Sequence, residues 1–444
     1  MKAALAVIAA SIAIFPATVQ TGAIDVAVAR SYFKELRDLG ALDAGKLWGR
    51  HVSGPMMLVD PEARVIVANE PDAKGLLRNE NGVWIGKLPP EINAANTSVD
   101  FGGRRWSMVV WPVSDNRYAR GRLLMHESFH RIQDSLGFRT TDRSNAHLAT
   151  AEGRIWTRLE WRALTEAVLR PGALRRQALS DALTFRARRR SAFREAAEDE
   201  RQLELNEGLA EYTGLVLSGL PRSAFDDRVA VQLAQFEPQE SLVRSFAYAS
   251  GPAYALLLDE SGRSWRKTVS SSSDLSDMAR EAYHLGSPDI ATAESLIDRY
   301  SGARMVADER AREAKRLANE TRLRSIFVTG PRLRLPMAGS FSFTFNPNGA
   351  TPIQGVGTVY ETSRVTDNWG VLEVDSGGVL IERNRDGLVS GIVAPKPVVS
   401  DGKVTGAGWT LTLSPGWIAA PGVSPSEFVI KRAGELKTGT IPPR

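Results

Sequence analysis

Apolar and polar positions along this chain repeat with two different periods, and the change from one to the other divides it. From Asp25 to Leu39 apolar residues recur at helical spacing, with Gly40 placed to end that helix. Short apolar runs then predict strands: Met57-Leu58-Val59, Val65-Ile66-Val67, Val83-Trp84-Ile85 and Trp106 to Trp111, the last stopping before Pro112. Helical spacing returns from Arg120 to Leu136, with Gly137 as its stop. Phe129 and Ile132, with Leu124, Met125 and Leu136, form the packing side of that helix. Residues 146 to 218 are almost wholly helical in pattern. Ala151 to Leu169 makes one helix, and Pro171 suits the first turn of the next. Further helices are predicted over Asp227 to Phe236, Ala253 to Asp259 and, with breaks, Ala291 to Arg324.

Around residue 330 the pattern changes. From Pro336 the chain is rich in Gly, Ser and Thr and alternates with period two, as in Ser340-Phe341-Ser342-Phe343-Thr344-Phe345. Turns are expected at Asp375-Ser376-Gly377-Gly378 and Asn384-Arg385-Asp386-Gly387, and further strands at Trp409 to Leu413 and Phe428-Val429-Ile430. The fold class expected is α+β. A largely helical domain with a small N-terminal sheet covers 24–330, with a helical insertion over about 146–200. An all-β sandwich or barrel, an accessory module, covers 331–444.

Composition changes this picture in three places. Met1-Lys2 followed by the apolar run Ala3 to Phe15 reads as a signal peptide over 1–23, cut at a small-residue site such as Thr21-Gly22-Ala23. That predicts a periplasmic or secreted protein with no transmembrane span after signal cleavage; an uncleaved signal anchor is the alternative. The chain has no cysteine, so a metal site must be built from histidine and carboxylate. Arg175, Arg176, Arg186, Arg188, Arg189, Arg190 and Arg194 make one region strongly basic, in a chain of net charge +5. The expectation there is a solvated, salt-bridged helix face, with weak contact to an anionic envelope surface as the alternative. No nucleic-acid motif accompanies these arginines, so no nucleic-acid partner is expected.

One segment names a reaction. His126-Glu127-Ser128-Phe129-His130 is an H-E-x-x-H pattern, drawn from only five histidines in 444 residues. On a helix, positions four apart share a face, so both imidazoles can aim at one point, with Glu127 one step round beside it. Two neutral imidazoles suit Zn²⁺, and the adjacent carboxylate suits a general base for a water activated there. Downstream, Glu207 and Glu211 in Asn206-Glu207-Gly208-Leu209-Ala210-Glu211 are also four apart on a predicted helix. One carboxylate can reach the metal while the other holds a histidine through its second ring nitrogen. Taken alone, the pair would equally suit a solvated helix face beside Arg201.

At these two segments the chain resembles the gluzincin metallopeptidases, the clan of thermolysin-like and neprilysin-like enzymes, which pair H-E-x-x-H with a later N-E-x-x-x-D/E. The resemblance implies a zincin-like catalytic domain and a peptide or protein substrate. It implies His126, His130 and Glu207 as zinc ligands, Glu127 as base and Glu211 as support for a ligand histidine. It also implies a sheet edge before the metal helix that holds an extended substrate, a role proposed for residues 105 to 111; the sequence by itself favours an ordinary core strand there. An oxyanion donor is required as well. Tyr254 is the first candidate, with Tyr248 and His284 as alternatives. The chain departs from the family in carrying Arg131 after the second histidine and in the gap of 77 positions from His130 to Glu207. It lacks a G-x-M-x-N exopeptidase motif, since Gly54-Pro55-Met56-Met57-Leu58 is not one, and the third histidine of the metzincins.

Other chemistry finds no support. There is no P-loop and no G-x-G-x-x-G, and Ser250 is not in a G-x-S-x-G elbow because Tyr248 takes the first glycine position. Two competing functions remain open. One is a non-catalytic envelope binding or structural protein on a zincin scaffold. The other is a metal-dependent hydrolase of a non-peptide amide or ester.

Overall fold

The computed structural model describes residues 24–138, 144–346, 349–384, 387–400 and 403–435. The expected signal-peptide segment and cleavage site lie outside the described residues, as do Arg385 and Asp386 of the second expected turn. The chain forms two compact units, residues 1–309 and 310–444. The fold class is α+β, with a small N-terminal sheet, a helical middle and a strand-rich C-terminal region.

The first unit opens on helix α1 (Val26–Asp43), capped by the Asp25 carboxylate, which accepts from the backbone of Ala27 and Val28. It runs past Gly40 and ends where Ala44 turns left-handed. Gly40 is a packing glycine and not a stop, because a Cβ there would lie 1.9 Å from Ser53 Oγ. Six strands follow: β1 (Met56–Val59), β2 (Val65–Ala68), β3 (Arg78–Glu80), β4 (Val83–Lys87), β5 (Thr97–Phe101) and β6 (Arg104–Val110). Their order is β3-β4-β2-β1-β6-β5, with β1 and β6 parallel and every other pairing antiparallel. Alternate residues divide between its two faces. Met56, Leu58, Val67 and Val109 enter the helical core. Met57, Ile66, Trp106 and Met108 pack in a second cluster on the opposite face. β6 is paired on both sides, so residues 105 to 111 are not a free sheet edge; β5 is the end strand, and it lies beside the next helix.

That helix, α2 (Arg117–Gln133), is capped by Asn116 and continues through a tight turn over Asp134–Leu136 to Gly137, whose φ of 85° ends it. Then come α3 (Ala151–Leu169), α4 (Gly172–Ala192), α5 (Ala196–Leu203), a π turn over Glu204–Gly208, α6 (Leu209–Leu217), α7 (Phe225–Phe236), α8 (Ser245–Glu260) and α9 (Leu275–Ala282). The last helix, α10 (Ala303–Arg324), runs through the boundary between the units. Trp156, Leu159 and Trp161 of α3 and Leu179 and Phe185 of α4 belong to the same core cluster as Phe129 of α2 and Leu256 of α8. Residues 146–200 are therefore part of the central core, whatever their effect on motif spacing. Nor is the basic face of α4 solvated throughout. Arg186 and Arg189 are buried and paired with Glu160, Glu200 and Glu204.

The second unit is a β-sandwich. In one sheet Arg332–Leu335 lies between Glu427–Arg432, to which it is parallel, and Val389–Pro395, which is antiparallel to it. The other sheet centres on Gly370–Val374, between Trp409–Leu413 and Ser363–Asp367. Leu333, Leu335, Ile381 and Ile392 from the first share one core with Val365, Leu372, Val404 and Leu411 from the second. No helix among the described residues is long and apolar enough to cross a membrane.

Candidate metal centre

Glycines let the elements of the centre approach closely. A Cβ on Gly214 would meet the Arg122 carbonyl at 2.6 Å, so α6 lies against α2 with no side chain between them at that point. A Cβ on Gly251 would meet Gly208 Cα at 2.4 Å, so α8 crosses the π turn backbone to backbone. The π turn adds a residue to one helical turn and so rotates the face of α6 relative to that of α5. Glu207, within the π turn, lies by His126 Nε2, and Glu211, on α6, by His126 Nδ1.

On the inner side, His126 Nε2, His130 Nε2 and Glu207 Oε2 form a triangle with edges of 3.1, 3.5 and 3.4 Å. Tetrahedral coordination with bonds of roughly 2.0–2.1 Å sets donor atoms about 3.3–3.4 Å apart, so these three residues can hold a metal ion and leave one position open. The group fits a metal by distance and by donor chemistry. On the outer side, His126 Nδ1 lies 3.1 Å from Glu211 Oε2 and donates to it, which leaves Nε2 facing the triangle. His130 Nδ1 donates to Gln133 Oε1 at 2.9 Å. Gln133 in turn donates to Asn206 Oδ1 at 3.1 Å, and Asn206 donates to Glu207 Oε1 at 3.3 Å. Amides thus join the second histidine to the carboxylate.

Charge in the centre is strongly coupled. Burial opposes a charged His126 ring, but its hydrogen bonds to Glu207 and Glu211 and the Glu127 charge outweigh burial and raise it to about 10. Burial likewise opposes ionised Glu211, yet Arg122 and His126 hold it at about 2. Glu207 is drawn well below the carboxylate range against its burial by His130 and His126. A cation entering here must displace ring protons. Glu127 goes the other way: burial lifts its carboxyl above the ordinary range, with His126 and His130 pulling against that. Its Oε2 is buried and accepts no hydrogen bond. An unpartnered buried carboxylate oxygen beside three metal donors has unused capacity to take a proton.

The candidate oxyanion donors separate clearly. Tyr254 is not at this centre. Its hydroxyl donates to Glu160 at 2.9 Å, and its fully buried ring lies under Arg186, 4.5 Å from the guanidinium. His284 sits on an exposed turn beside Arg263. Tyr248 is the tyrosine of the site, with its hydroxyl 2.5 Å from Glu207 Oε2 and its ring stacked on His126 at 5.7 Å and 6°. Burial and the Glu207 charge hold the Tyr248 phenol well above its usual range, so it remains a donor. The sequence pattern obscured this because α8 begins at Ser245, ahead of Pro252, and not at Ala253. Arg131, the departure after the second histidine, points away and donates to the carbonyls of Val52 and Ser53 at 2.9 and 3.3 Å.

Sequence reasoning passed over Arg122, Gln133 and Gln232, and gave Asn206 no role beyond its place in the motif. Helical spacing could have offered two of them, since Arg122 precedes His126 by four and Gln133 follows His130 by three. Gln232 lies on a separate helix, and no local pattern marks it. No protein-family model, curated protein or solved structure matches this chain.

Proposed function

We propose that this chain is an exported zinc-dependent metallopeptidase, with His126, His130 and Glu207 as ligands and Glu127 as general base. One observation carries the reading. Three donor atoms stand at tetrahedral spacing while a buried carboxylate oxygen beside them lacks a partner. Two imidazoles and a carboxylate with an open position are the donor set of hydrolytic zinc, which when bound acidifies a water and polarises a carbonyl.

The chain's own residues supply the rest. Glu127 Oε2 takes a proton from the attacking water and returns it to the leaving nitrogen, a task suited by a carboxyl lifted above its usual range. Glu211 and Gln133 fix which ring nitrogen of each histidine faces inward. Tyr248, and not Tyr254, is the hydroxyl at the centre; it donates to Glu207 Oε2 and would have to turn from it to serve a developing oxyanion. An extended peptide would pair along β5, the end strand beside α2, and not along β6.

The test joins metal analysis to a peptide-library screen. Purified protein should carry about one zinc per chain. His130→Ala should lose it. Glu127→Gln should keep it while hydrolysis falls by about 10²-fold or more. Stoichiometric zinc with no cleavage of any peptide would exclude the peptidase reading and leave a metal-holding scaffold or a hydrolase of a non-peptide amide or ester.

A further inference from the structure

Gln232 lies on α7, outside every motif, and its carboxamide is buried. Its Nε2 donates to Glu211 Oε1 at 2.8 Å and to the Tyr248 carbonyl at 2.7 Å. Both partners are acceptors only, so the nitrogen must face them. The amide oxygen then lies 3.5 Å from Arg122 Nη1, which also pairs with Glu211. One side chain therefore bridges α2, α6 and α8 at the back of the metal centre.

The Tyr248 carbonyl is open to Gln232 because of a proline in α8. In a continuous helix that carbonyl accepts from the residue four positions on. That residue is Pro252, which has no N–H. A part-buried carbonyl left in this way lacks its helical donor, and Gln232 provides one. Proline in the middle of α8 and glutamine on α7 are two halves of one feature.

We propose that Gln232 is a positioning residue for the metal centre. It holds Glu211 in line with His126 Nδ1 and, through the carbonyl that Pro252 leaves unpaired, holds Tyr248 over Glu207. The inference rests on the zinc-site reading and deepens it. Glu211 makes a hydrogen bond to His126 on one oxygen and depends on Arg122 and Gln232 for the other. Removing the neutral donor lets the carboxylate rotate toward the more exposed arginine, and the imidazole loses its fixed acceptor.

The experiment measures zinc affinity of the full chain by competition with a chelator. Gln232→Met keeps the volume and removes the hydrogen bonds; Gln232→Asn keeps an amide one carbon short and serves if the methionine variant does not fold. Zinc affinity should fall about ten- to hundred-fold. In a Glu211→Gln background the same change should cost at least about threefold less, since one of its two routes to the metal, the one through Glu211, is already cut. Unchanged affinity in a folded Gln232 variant overturns the proposal. So does an equal loss in both backgrounds, which is what general loosening of the fold would give. If the unaltered chain binds no zinc, the metal reading itself falls, and that outcome is distinct because no variant is needed to see it.

Discussion

Single side chains at this centre are assigned by what their polar atoms touch. Tyr248 and Tyr254 are six residues apart on α8, yet one donates to Glu207 of the candidate metal centre and the other to a buried ion network. Their phenylalanine variants should therefore separate. Under the proposed function, Tyr248→Phe should lower peptide hydrolysis by at least about tenfold, as loss of an oxyanion donor would. Tyr254→Phe should leave zinc affinity unchanged and cost about 1–2 kcal/mol of stability, read by urea unfolding, because Glu160 loses one hydrogen bond. The reverse pattern would return Tyr254 to the reaction. Gln133→Leu removes the acceptor of His130 Nδ1 and cuts the amide path to Glu207, so zinc affinity should fall by about tenfold.

Among the elements, the joint between α8 and the π turn decides the geometry. Glu204, in that turn, receives Arg186 through two bonds at 2.8 and 2.6 Å and the Ser250 hydroxyl at 2.5 Å. Next to Ser250, Gly251 meets Gly208 with no side chain between the backbones. These contacts set where Tyr248 and Glu207 stand relative to each other. Gly251→Ala forces a methyl group against backbone that has no rotamer to yield. It should cost about 1–3 kcal/mol and weaken zinc binding together, with unfolding and chelator competition as the two readings. Loss of stability with full zinc affinity would mean that the joint is packing only.

Across the first unit, a buried ion network spans α3, α4, α5 and the π turn. Glu160 pairs with Arg186 and Arg189, Glu200 with Arg189, Arg190 and His147, and Asp274 with Arg190. Removing one member of such a buried set costs about 3–5 kcal/mol, because its partners stay charged and desolvated. The network also sets a pH limit. Burial works against ionised Asp274, but Arg190 and Arg186 hold it at about 2, and Arg189 and Arg190 draw Glu200 well below the usual range. Carboxylates with a folded pKa depressed in this way contribute fully above their unfolded values of about 4, and the contribution is lost as pH falls. Stability measured by urea unfolding should fall steeply from about pH 4 toward pH 2, and less steeply in Asp274→Asn. A flat profile over that interval would mean that these pairs contribute nothing net.

Periodicity and local chemistry in the sequence were enough for the α+β class, for α2 and α3, for the change to β structure after residue 330, and for the two segments that meet at the centre. Each is a signal within a few residues: a helical stripe, alternation, a stop glycine, or two histidines four apart. The third donor was legible because its own helix carries paired carboxylates. Only the tertiary structure decided which tyrosine joins them, that β5 and not β6 ends the sheet beside α2, that Arg186 and Arg189 are buried, and that Gln232 touches Glu211. Those depend on close backbone approaches and on Pro252 lying inside a helix whose freed carbonyl is satisfied from another element. Such compensation is made between residues far apart in the chain, and no local pattern encodes it.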